Sequence, residues 1–278
     1  NLGQNLIHYA IMGSDRYIFD FILKKVPKDI VLNYNKEEEN VLNFAFTNGD
    51  LYFFEKLYQK YPKLLDIDYI VNNIKINSYD ILDYLLSSGL LNFESESFED
   101  DEDYYLDPDN IDKNDQILVN LLNEFIDIKK ASKVSQKTIK KQKNKLLKIL
   151  NLLYNYGYRN LHNINAIKMA IKTDDADILN MVFKISEKLY FTTNVGKYIV
   201  SNLVNLYNKQ IYVSTINFLQ KNFSDLSDIL GHLLFSFLKN SELLKEKNIK
   251  KGEEMLKFIL ENYGKKINFL YVDSYIYT

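Results

Sequence analysis

The stretch "NVLNFAFTNGDLYFFEKL", Asn40 to Leu57, carries Leu, Phe and Ala at the spacing of a helix with one buried face. Thr47-Asn48-Gly49-Asp50 interrupts it with four residues that favour turns. Two structures compete: one helix carrying a costly Gly, or two short helices folded back at a tight turn. The pattern recurs, which favours the second. "NLIHYAIMGSDRYIFDFIL" (Asn5 to Leu23) and "NAIKMAIKTDDADILNMVF" (Asn165 to Phe183) align with it. In all three an Asn opens the segment, an Ala follows at Ala10, Ala45 or Ala170, and an Asp at Asp15, Asp50 or Asp175 precedes an apolar second half. The opening Asn suits an N-cap, the Ala admits a close neighbour, and the Gly/Asn/Asp turn suits left-handed backbone. Neither half is long enough to be stable alone in water, so burial must come from stacking copies.

The first two copies start 35 residues apart. This resembles the ankyrin repeat, whose signature T-P-L-H-x-A leads into A-x-x-G-[HD] and a second helix ending in L-L-x-x-G. "NLIHYA" keeps His8 and Ala10, "AFTNGD" keeps Ala45, Gly49 and Asp50, and "DILDYLLSSG" (Asp80 to Gly89) matches the second helix and its terminal Gly. The Thr-Pro is missing, and the second Ala is Ile11, Phe46 or Ile171. Further copies are read at Asp68 to Gly89, Gln116 to Gly157, Gly196 to Asn222 and Leu226 to Gly264, with a tail from Ile267. The resemblance implies an all-α, ankyrin-like helical repeat solenoid of about seven helix-turn-helix units across residues 1–278. The alternative is an irregular all-helical domain with chance similarity.

Charge is unevenly spread although the net value is only -2. From Glu94 to Asp115 stand eleven acidic residues against Lys113 alone; from Lys129 to Lys148 stand nine lysines and no acid. Both read most simply as solvated insertions within the fourth unit, because like charges repel along a run. Two other arrangements compete: the blocks neutralise one another, or one of them meets a partner. The lysine block has neither Arg nor an interleaved aromatic, which disfavours nucleic acid. Tyr104 and Tyr105 stand inside the acidic block as candidate anchors or modification sites.

Little in the chain suggests chemistry. Cysteine is absent, and His8, His162 and His232 have no partner at the spacing of a zinc pair. His8 falls on the repeat signature, where the family uses the ring to bond backbone. Gly196-Lys197 lacks the upstream glycine of a phosphate loop. No catalytic residue, metal or cofactor is expected, and no run approaches the roughly 18 apolar residues that span a bilayer. The heavy use of Asn, Lys, Ile, Tyr and Phe fits an A/T-rich genome such as that of a parasite, an intracellular bacterium or a large DNA virus.

The expectation is a monomeric, non-enzymatic recognition module in the cytoplasm, binding another protein, a host protein if the source is a pathogen. By resemblance, its contact positions fall at Met12, Gly13, Thr47, Asn48, Lys75, Ile76, Lys172 and Thr173, with Glu37, Glu38 and Glu39 at a loop tip. The runner-up is a structural or targeting arm of a larger effector enzyme, its lysine-rich segment touching anionic membrane or nucleic acid.

Overall fold

The computed structural model describes residues 3–93, 113–159, 164–187, 192–204, 206–240 and 248–269. Among these residues there are fifteen α-helices and no strand, so the chain is all-α. It divides into two compact units, the first running to Tyr158 and the second from Arg159.

In the first unit α1 (Leu6–Met12) packs on α2 (Arg16–Lys25), which is followed by the short α3 (Lys28–Val31). Next, α4 (Val41–Asn48) packs on α5 (Leu51–Lys60), and a 3-10 turn over Pro62–Leu64 follows. The remaining helices are α6 (Ile67–Asn72), α7 (Tyr79–Ser87), α8 (Lys113–Lys130) and α9 (Gln136–Asn155). Two rows result: α1, α4, α6 and α8 pack in succession, and so do α2, α5, α7 and α9.

The caps show why these short helices form where they do. Asn5 Oδ1 accepts from the N–H of Ile7 and His8, and Asn40 Oδ1 from the N–H of Leu42 and Asn43. Each satisfies donors that a helix start leaves open. The amide nitrogens of the same side chains reach across the pair: Asn5 Nδ2 donates to the Ile30 carbonyl at 2.8 Å and Asn40 Nδ2 to the Leu64 carbonyl at 3.0 Å. Asp15, Asp50 and Asp175 cap the second helices. Asn165 differs from its counterparts. It is the second residue of its helix rather than the cap, so the third copy starts earlier than its Asn suggested.

The reversal between helices is left-handed in each of the three copies, at the residue just before the capping Asp: Ser14 (φ 52), Gly49 (φ 82) and Asp174 (φ 52). Gly13, expected in the turn, is right-handed with φ -68. Stacking then buries the apolar faces. Phe19, Phe53, Phe54 and Leu57 have no exposed surface, each contributing on the order of 1.5–3 kcal/mol.

The lysine-rich segment is not a loop. Lys129 and Lys130 end α8, and most of the remainder lies in α9, whose later turns bury Leu146, Ile149, Leu150, Leu152 and Leu153. The apolar period of those turns carries the helix back through the charged run. The acidic block lies outside the described residues except for its last three positions, 113–115, which begin α8. Tyr104, Tyr105 and His162 also lie outside them.

In the second unit α10 (Ile164–Lys172) packs on α11 (Ala176–Ile185) and on α12 (Thr193–Ser201). Beyond these come α13 (Lys209–Asn222), α14 (Ser227–Lys239) and α15 (Ile249–Tyr263). α12 packs on α14 and α11 on α13, so two rows recur. Gly196 sits where α12 meets α14: a Cβ there would lie 2.5 Å from Ile229 Cδ1. That close approach explains the glycine without a phosphate ligand.

Gly49→Ala places a Cβ at positive φ and 3.0 Å from the Asn77 carbonyl oxygen. It is expected to lower stability by about 1 kcal/mol or more, read from the urea midpoint. Ser14→Gly, at the equivalent position, relieves left-handed strain and is expected to raise stability by up to about 1 kcal/mol.

Candidate interaction surface

The turns that follow the first helices lie side by side in the first unit. An Arg16 guanidinium nitrogen is 3.5 Å from Asp50, Gly49 abuts the Asn77 carbonyl, and Asn77 Oδ1 accepts from Lys145 Nζ at 2.8 Å. This edge brings together Met12, Gly13, Asn48 and Lys75, all exposed. Asn48 lines a shallow cleft of about 530 Å³ with Arg16, Gly49, Asp50, Leu51, Tyr52, Glu55 and Asp80. Lys172 is exposed at the corresponding end of α10 in the second unit.

Three of the expected contact residues are instead buried. Ile76 has no exposed surface, and its N–H donates to Glu124 Oε2 on α8 at 2.8 Å. Burial raises the Glu124 carboxyl pKa, against a lowering by that hydrogen bond and by Lys75 nearby. Thr173 is fully buried, with Oγ1 donating to the Ala170 carbonyl at 2.6 Å. Glu39 is 8% exposed, whereas Glu37 and Glu38 stand in solvent as a loop tip should. An apolar side chain such as Ile76 is drawn into the layer beneath its turn. Thr173 and Glu39 follow because backbone and side-chain partners satisfy their polar atoms.

Glu39 anchors a polar network under the edge. Its Oε2 accepts from Asn35 Nδ2 at 2.9 Å, and its Oε1 accepts a short hydrogen bond from the Tyr69 hydroxyl. Asn35 Oδ1 accepts from the N–H of Glu37 and of Glu39, which folds the loop onto itself. Thr47 Oγ1 lies 3.1 Å from both the Asn43 carbonyl oxygen and the Tyr69 hydroxyl. Thr47 is therefore half-buried and serves this network from the edge. Burial, with the bond to Glu39, pushes the Tyr69 pKa up to about 12.

His8 borders the same network. Its Nδ1 accepts the Asn5 N–H at 3.2 Å, so the neutral ring carries its proton on Nε2. That atom is buried and has no hydrogen-bond partner among the described residues. Burial lowers the His8 pKa, against an upward pull from Glu39. The ring packs edge-on to Phe44 at 5.0 Å. His232 is half-buried, with Nε2 3.3 Å from the hydroxyls of Ser201 and Ser236.

Tyr69 and Asn35 were not singled out in the sequence. The one available signal was the position of Glu39, directly before the capping Asn40 and so beside a helix start. No described helix is long and apolar enough to cross a membrane. Set against family models, curated proteins and solved structures, the chain matches none of them.

Tyr69→Phe removes a donor from buried Glu39 and is expected to cost about 1–3 kcal/mol in chemical denaturation. The pKa of Tyr69 is higher folded than unfolded, so its contribution is complete below pH 10 and is lost as pH rises through about 12. A stability profile over that window is expected to fall more steeply for the native chain than for Tyr69→Phe. His8 has the opposite sign: its folded pKa is depressed, so stability declines as pH falls below 6.5.

Proposed function

We propose that the chain is an ankyrin-like repeat array and that it recognises a partner protein along the edge formed by its first-helix ends and turns. The observation that carries this reading is the agreement of side-chain and backbone detail at a 35-residue interval. Asn5 and Asn40 each cap a first helix and reach a carbonyl 25 or 24 residues on, Ser14 and Gly49 both make the turn left-handed, Asp15 and Asp50 cap the second helix, and Pro27 and Pro62 stand where the short helical segment after it begins. An array of this kind sets short turns at regular spacing on a packed support, and such a surface accommodates another protein without a catalytic pocket. Affinity on it comes from a few anchors rather than from total area. Met12, Asn48 and Lys75 are the exposed residues best placed to supply them in the first unit, and Lys172 in the second.

The proposal is tested by capture from a host lysate followed by purified binding measurements. A partner should be retained by the native chain and by a chain lacking residues 94–112. It should lose at least about tenfold in affinity with the joint change Met12→Ala, Asn48→Ala and Lys75→Ala. Because those side chains are exposed, melting should not change. Retained affinity in a normally folded triple variant would move the binding surface elsewhere.

A further inference from the structure

The connection between α8 and α9 lies outside the core. Val134 N–H donates to the Ala131 carbonyl at 3.2 Å, which makes Ser132 and Lys133 the two central residues of a tight turn. Both are exposed. From Asp127 to Lys141, across the end of α8, the turn and the start of α9, no side chain is buried. Local opening of this stretch therefore disturbs little packing, and the core resumes only at Leu146.

Three hydroxyls stand here, and they differ. Ser135 Oγ accepts the Thr138 N–H at 3.2 Å and lies 3.0 Å from Thr138 Oγ1, so both side chains are engaged in the cap of α9. Ser132 Oγ makes no hydrogen bond among the described residues. Charge singles out the same residue. Of the serines and threonines in the chain, only Ser132 has a lysine both two and three positions before it, Lys130 and Lys129, and Lys133 follows it directly. A substrate groove lined with carboxylates selects such a segment by charge. The turn thus presents an accessible, unengaged hydroxyl in a basic setting, on backbone that can open without cost to the core.

We propose that Ser132 is a phosphorylation site for a basophilic protein kinase and that the lysines around it hold the product. Ser132 Oγ attacks the γ-phosphorus of ATP, the bond from that phosphorus to the β,γ-bridging oxygen breaks, ADP departs, and the hydroxyl proton passes to the carboxylate base of the kinase. The new group carries about two negative charges at pH 7. Residues Lys129 to Lys141 include six lysines and no acid, the nearest acid in sequence being Asp127 in the last turn of α8. The phosphate therefore enters a stretch rich in charged donors, and pairing with them orders the turn and the start of α9. The inference goes beyond the recognition reading and does not depend on it, since it uses neither the turn edge nor the repeat.

Incubation of the full chain with the catalytic subunit of cyclic-AMP-dependent protein kinase and MgATP tests it. Tandem mass spectrometry is expected to place one phosphate, on Ser132 of the folded chain. Ser132→Ala should abolish it. The joint change Lys129→Gln and Lys130→Gln should slow labelling at least about tenfold with melting unchanged, because these exposed side chains serve only the encounter. In the phosphorylated chain, amide exchange over residues 131–141 is expected to slow about tenfold. Lys133→Gln with Lys137→Gln should remove that protection while Ser132 is still labelled. A folded chain left unlabelled overturns the proposal, as does label on Ser135 or Thr138 in place of Ser132. Phosphate on Ser132 with exchange unchanged refutes the holding role of the lysines. None of these readouts involves Asn48 or Lys75, so their failure leaves the turn-edge reading intact.

Discussion

A helix of seven or eight residues has too few internal hydrogen bonds to offset the ordering of its backbone, so α1 and α4 exist only while something outside them holds both ends. Asn40 does this from one position. Its oxygen closes the open N–H groups at the start of α4, and its nitrogen fastens the return strap after α5, at Leu64. Asn5 repeats the arrangement with Ile30. One side chain therefore ties the beginning of a helix pair to its end, and the apolar faces are aligned before they meet their neighbours. The burial of Phe53 and Phe54 follows from that closure as much as it supports it.

Between pairs, polar contacts set the register of an interface whose attraction is apolar. Tyr52 donates to Asp20, Lys60 Nζ donates to the Leu23 carbonyl at 2.7 Å, and Tyr69 reaches back to Glu39. Each links one pair to the next. The Glu39 network is the most demanding of them, because a buried carboxyl group must find donors for both oxygens or its burial is costly. Asn35 and Tyr69 provide these from two different segments, so the loop before α4 has a defined position only once α6 is in place.

What was readable in the sequence was local. Asn5, Asn40, Asp15 and Asp50 announce their caps because a cap bonds residues two or three positions away. The left-handed turn was visible at Gly49 and at Asp174, residue types that tolerate it, but hidden at Ser14, where the backbone imposes the conformation on a residue that does not favour it. Burial was another matter. Ile76 is bonded to Glu124, 48 residues on, and Glu39 to Tyr69, 30 residues on. No spacing rule reaches that far. The lysine run reads as a loop because charge repulsion dominates its composition, whereas the amphipathic turns after Leu146 govern its conformation.

That last outcome gives α9 an unusual start. Its first ten residues bury no side chain completely, and they carry Lys137, Lys140, Lys141, Lys143 and Lys145, of which Lys137 lies in the first turn, where the backbone dipole is already positive. Neighbours at three- and four-residue spacing add like-charge repulsion. The core holds the later turns, but the opening turns are held against their own electrostatics. Small ions that screen the lysines relieve that repulsion. Ionic strength therefore bears on the opening turns of α9 and little on the turns after Leu146, which the core holds.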